Sequence, residues 1–158
     1  MTNIQFGQNV PLDGWGQRLY YIGTDELETG HVLTHPLPAQ VEDVDDSIDG
    51  MSDEIAAMGQ ARKPTSGTEH RFAGVVAPKS DGIEGKCNVR VVKRGWALVN
   101  VPTDANEGDF LKPANDSYEA EEADTTDDIA FIRMMEDEGA TESGKAWCLI
   151  DPFGTEIN

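Results

Sequence analysis

Between Arg71 and Ile150 the chain never holds an apolar helical period; short apolar segments recur instead, separated by Gly, Asn and Asp. The segments are 71–77 (RFAGVVA), 88–93 (NVRVVK), 96–101 (WALVNV), 110–111 behind Gly108 and Asp109, 130–134 (AFIRM) and 145–150 (KAWCLI). Each is rich in β-branched or aromatic residues, which pack well on a pleated surface, and the gaps hold turn formers. The pattern predicts an all-β chain, a small barrel or sandwich.

Side-chain alternation refines this. In 88–93, Val89 and Val91 share one face while Asn88, Arg90 and Val92 share the other, close to half-buried alternation. The next segment differs: Trp96 and Leu98 point one way and Ala97, Val99 and Val101 the other, so both faces are apolar, nearly as in 145–150. A lone barrel needs only its inner face buried. Strands apolar on both sides predict that a neighbouring subunit or partner covers the outside.

The succession of elements resembles the compact β-barrel decoration proteins, or cement and head-stabilising proteins, of tailed bacteriophage capsids. The resemblance is carried by Gly74-Val75-Val76, by Val89 to Val99 with its Gly95-Trp96 step, by Glu107-Gly108-Asp109-Phe110-Leu111-Lys112-Pro113, by Ala130-Phe131-Ile132-Arg133 and by the closing strand at Trp147. It spans roughly the last 85 residues; the first 70 match no pattern of this family, and Glu and Asp stand where Ala and Thr are expected in the loops. It implies a β-tulip-like barrel, no enzymatic activity, and a virion location on the capsid exterior after synthesis in the host cytoplasm. It further implies the major capsid protein as partner and a homotrimer at three-fold or quasi-three-fold lattice positions.

Composition sets bounds that agree. At 158 residues the chain reads as one domain, large enough to bury a core without staples. A net charge of −18, from 30 acids against 12 bases, argues against nucleic acid as the main ligand, because phosphate binding needs clustered Lys and Arg. It also disfavours an anionic membrane surface. No apolar run is long enough to span a bilayer, and the first residues lack the basic and apolar regions of a signal peptide. The charge is uneven: 62–94 holds eight of the twelve bases against three acids. Complementarity toward an acidic neighbour and solvated strand-edge cations that prevent aggregation both account for this.

Upstream of the barrel segments, residues 1–20 hold glycines, a proline and scattered aromatics without a period, and are read as an extended arm preceding a barrel domain at 21–158. Tyr20-Tyr21-Ile22 and His31-Val32-Leu33 form a candidate first strand pair. An acidic, Pro-bounded loop follows at about 36–68. It contains a short helix candidate, with Ser52 as cap, Asp53 and Glu54 at the positive end, Ile55 and Met58 as an apolar pair and Gly59 as terminator.

The sequence offers no catalytic residues, no cofactor site and no metal site. Asp45, Ser47, Asp49 and Gly50 imitate a calcium-loop opening, but the twelfth position is Ala56, so an EF-hand is rejected. His31 and His35 are bracketed by Gly30 and Pro36 and read as ordinary loop or strand histidines. Cys87 and Cys148 lie far apart outside any C-x-x-C pair, and two buried thiols are favoured over a disulfide. What remains is recognition by shape and apolar anchors. Phe6, Trp15, Tyr20 and Tyr21 are candidates to anchor the arm on a partner, or else to fold back on their own barrel. Arg90, Arg94 and Trp96 are the barrel's interface candidates. A tail or baseplate adaptor, and a carbohydrate-binding module stacking sugars on Trp15, Tyr20 or Tyr21, are the alternatives to a capsid decoration protein.

Overall fold

The structure, a computed structural model, describes residues 15–42, 52–78, 85–124 and 128–157. Among the described residues nine strands carry the fold: β1 (Trp15–Tyr21), β2 (Val32–Thr34), β3 (Gln60–Ala61), β4 (Phe72–Val76), β5 (Cys87–Asn100), β6 (Phe110–Pro113), β7 (Ala120–Glu122), β8 (Ile129–Met134) and β9 (Lys145–Glu156). They form a sheet ordered β2-β4-β5-β9-β8-β6-β7, with β1 attached to β5 and β3 to β1. The sheet curls until its ends nearly meet, where the Val32 N–H donates to the Tyr118 carbonyl at 2.8 Å. The all-β barrel is therefore the observed architecture.

Strand β5 organises it. The segments read as 88–93 and 96–101 are one 14-residue strand. Its first half pairs with β1 and β4, and its second half, from Gly95 to Asn100, pairs with β9. At the junction Trp15 of β1 faces Arg94 while Gly16 faces Val92, so Lys93 is the extra residue of a bulge. Gly95 takes φ +99°, a conformation that costs glycine little, and lets the strand change partners without ending.

Alternation then sorts side chains into two cores. Val92, Ala97, Val99, Leu111, Phe131, Ile132, Met134, Ala146, Cys148 and Ile150 fill the barrel interior, together with Val32, Phe72 and Val75. A second cluster, Leu19, Tyr21, Leu27, Leu33, Val76, Val89 and Val91, packs under β1. Gly74 allows the close approach of β4 to β5. It sits at φ +141°, and a Cβ there would lie 2.8 Å from Val91 Cβ and 2.9 Å from the Val92 carbonyl.

Several expectations change. Residues 15–20, read as part of an arm, lie in β1, a strand of the sheet whose Leu19 is 1% exposed. Residues 1–14 lie outside the described residues. Removing 1–20 would thus strip a paired strand. The proposed pairing of 20–22 with 31–33 does not occur, because β1 runs along β5 and β3, and β2 along β4. The short helix α1 spans Asp53–Met58 with Ser52 Oγ accepting from the Ile55 N–H and Gly59 at its end. It buries Ala57, while Ile55 and Met58 stand 61% and 52% exposed. Cys87 and Cys148 are free thiols, but only Cys148 is buried; Cys87, at the start of β5, is half-buried. The Asp45 to Gly50 stretch lies outside the described residues. No helix among the described residues is long and apolar enough to cross a membrane.

Candidate functional site

The β5–β9 ladder sets the geometry of the outer wall. Ala97, Val99, Ala146 and Cys148 point inward and are buried; Trp96, Leu98, Trp147 and Leu149 point outward and are only half-buried. Register places Trp96 opposite Leu149 and Leu98 opposite Trp147, so the four side chains form cross-strand neighbours on one face. The row continues across two more strands, with Arg133 of β8 opposite Leu149 and Phe110 of β6 opposite Arg133. The Arg133 guanidinium lies 5.7 Å from the Phe110 ring centroid, capping that ring with a cation.

Beside this row β9 leaves the ladder. Ile132 pairs with Ile150 and Ala130 with Thr155, so Asp151 to Gly154 stand opposite the single residue Phe131. The excursion is held at its start by the Phe153 N–H donating to Asp151 Oδ1 at 3.0 Å. Gly154 ends it at φ +78°, where a Cβ would overlap Ile129 and come within 3.1 Å of Phe131. The result is a concavity of about 700 Å³ lined by Arg94, Phe110, Phe131, Arg133, Leu149 and Phe153. Phe153 is 83% exposed and Phe110 36%, which makes Phe153 the most exposed large apolar side chain among the described residues. In an acidic chain this rim is edged by Arg94 and Arg133, with Asp151 as the acid at the wall.

The sequence-derived candidates separate on this surface. Trp96 belongs to the outward row, and the exposed Arg94 lines the groove beside it. Arg90 is exposed farther along β5, opposite Arg18. Trp15 pairs its backbone with Arg94 at the mouth of the groove. Tyr20 is half-buried. Tyr21 is not an available anchor: it is 0% exposed, and its hydroxyl lies 2.5 Å from that of Tyr118, which donates to Asp25 Oδ2 at 3.0 Å. Burial raises the pKa of both phenols, so the pair is a neutral lock between β1 and the β6–β7 turn. Phe6 lies outside the described residues. Sequence reasoning missed Phe153; its exposure depends on a strand excursion, and Asp-Pro-Phe-Gly by itself reads as a turn.

The two helix-spaced histidines do not converge. His31 stacks on Tyr118 with ring centroids 4.7 Å apart, whereas His35 is 3% exposed and donates from Nδ1 to the Gln60 carbonyl at 2.8 Å. Among the described residues no three His, Cys, Asp or Glu side chains gather as a metal cage. Burial pushes the Cys148 thiol up to about 12, with Glu136 adding to the shift, so it is a packing residue and not a nucleophile. The arrangement is suited to recognition: apolar anchors on a rigid wall with cations at the rim. The sequence matches no protein-family model and no curated protein.

Proposed function

We propose that the chain is a virion structural protein that binds the exterior of an assembled icosahedral capsid and stabilises it, as a decoration protein at three-fold or quasi-three-fold positions. The partner is the major capsid protein, and the protein acts as a homotrimer. The observation that carries this proposal is the outward row Trp96, Leu98, Trp147 and Leu149 beside the Phe110–Phe153 groove, an apolar face on the wall of a chain with net charge −18. Apolar side chains gathered on the outer wall of a barrel are what a protein interface covers. The succession of segments from Gly74 to Trp147 that resembles capsid decoration proteins supports the same assignment.

The mechanism is clamping. A composite site spanning several capsid subunits exists only on the assembled lattice, so binding favours that lattice by mass action. Weak contacts repeated over the shell sum to a large stabilisation. The test is to mix purified protein with matching expanded, undecorated heads and quantify bound copies per particle by gel. Saturation at a stoichiometry set by lattice three-fold positions is expected. Absence of binding, or a copy number limited to one ring, refutes the proposal, and the latter outcome assigns the chain to the tail.

A further inference from the structure

A second concavity lies on the other side of the β5 bulge, and it is lined by His35, His70, Arg71 and Lys93 over Phe72 and Phe131. Among the described residues no carboxylate lines it, although the chain has 30 acids against 12 bases. We propose that this pocket is an oxyanion-binding site taking a single carboxylate or phosphate group, an assignment independent of whether the chain decorates a capsid.

The charges are placed by the fold and have no counterion among the described residues. Lys93 is the extra residue of the bulge, which turns its side chain toward His35. Its Nζ donates to Gln17 Oε1 at 2.9 Å and lies 3.4 Å from His35 Nε2. The Gln60 carbonyl only accepts, so His35 must carry its proton on Nδ1 and offer the Nε2 lone pair to Lys93. Burial, with Lys93 and Arg71 adding to it, lowers the His35 pKa, which keeps the ring in that neutral acceptor form. Arg71 is fixed in turn: Nε donates to the Pro36 carbonyl at 3.1 Å, and Nη2 is buried with no partner among the described residues.

Among the described residues the other lysines are neutralised. Lys63, Lys86, Lys112 and Lys145 each face a carboxylate, whereas Lys93 and Arg71 face none among the described residues. Two cations that line one pocket, partly withdrawn from water and with no counterion among the described residues, repel each other and favour an anion between them. The space, about 300 Å³, admits one oxyanion with residual water, and the stacked Phe72 and Phe131 rings, 5.1 Å apart, give it a rigid apolar floor. Arg and Lys together supply the charge-assisted donors that recognise such a group.

The experiment titrates the full chain with inorganic phosphate and, separately, with a short polyglutamate peptide, at constant ionic strength held with sodium chloride. Imidazole resonances are followed by NMR. Saturable shifts of His35 and His70, with His31 unmoved, are expected in at least one titration. Tighter binding of the peptide assigns the natural oxyanion to a protein partner, and tighter binding of phosphate to a free ion. Lys93→Met should weaken that binding about 10- to 100-fold. His70→Glu, at an exposed position that leaves the core intact, should weaken it as well. Linear, unsaturable shifts in both titrations, or saturation unaltered by both substitutions in folded protein, would overturn the assignment.

Discussion

Replacing Phe153 by Ala separates an interaction surface from a structural one. The side chain is 83% exposed in the free chain, so its removal opens no core cavity and the cost in stability should stay within about 0.5 kcal/mol. For a chain of this size that is a shift in Tm of no more than about 2 °C. If a partner buries the ring, the gain forgone is large. A phenyl side chain offers about 200 Å² of surface, of which some 165 Å² faces solvent here. At about 25 cal/mol per Å² this sets a ceiling near 4 kcal/mol, and truncated anchor residues at protein interfaces cost about 2 kcal/mol or more. The expected loss of affinity per protomer is therefore roughly 30- to 1,000-fold. Equilibrium sedimentation of labelled protein with undecorated heads reads the affinity, and melting followed by circular dichroism reads the stability. Unchanged affinity with unchanged Tm would show that the groove is not the contact, and the reasoning from exposure would fail.

Three further outcomes follow from the fold. Deleting residues 1–20 removes all of β1 but Tyr21, with buried Leu19 of the second core, so the truncated chain should lose cooperative thermal unfolding; a sharp transition near that of the full chain would contradict the placement of β1. Gly74→Ala combines a positive φ with a Cβ 2.8 Å from Val91, and should cost about 3 kcal/mol or more in urea unfolding. Because His35 titrates below its ordinary 6.5 when folded, the unfolded chain takes up that proton first. The stability that neutral His35 contributes is full above pH 6.5, falls as pH drops through the folded-state pKa and levels off below it. His35→Asn should flatten this part of the Tm-against-pH curve, and an identical slope in both proteins would refute the assignment.

Much of the barrel was legible because burial leaves a period in the sequence. Strands β4, β8 and the first part of β9 fall where β-branched and aromatic residues cluster, and the two-faced segment at Trp96 lies on the outer wall. Other elements left weaker traces. Arg94-Gly95 punctuates β5 like a turn, yet the bulge and the left-handed glycine carry the strand through with a change of neighbours. Arg18, Leu19, Tyr20 and Tyr21 do alternate, but the surrounding glycines masked a strand whose inward residues meet a distant part of the chain. Strand β7 buries only Ala120 and otherwise displays Glu121 and Glu122, so no apolar period exists to detect. The groove was illegible for a related reason: it arises where β9 detaches from β8, a matter of register, and Phe153 gains meaning only from that detachment.

The central proposal is that the wall carrying Trp96, Trp147, Leu149 and Phe153 seats on a capsid lattice. Cryo-electron microscopy of heads saturated with the protein tests it most directly. Density at lattice three-fold positions, with this wall and the Phe153 groove covered by capsid or by a neighbouring copy, is the expected result. Heads without added density, or a bound protein whose β5–β9 wall faces solvent, would contradict it.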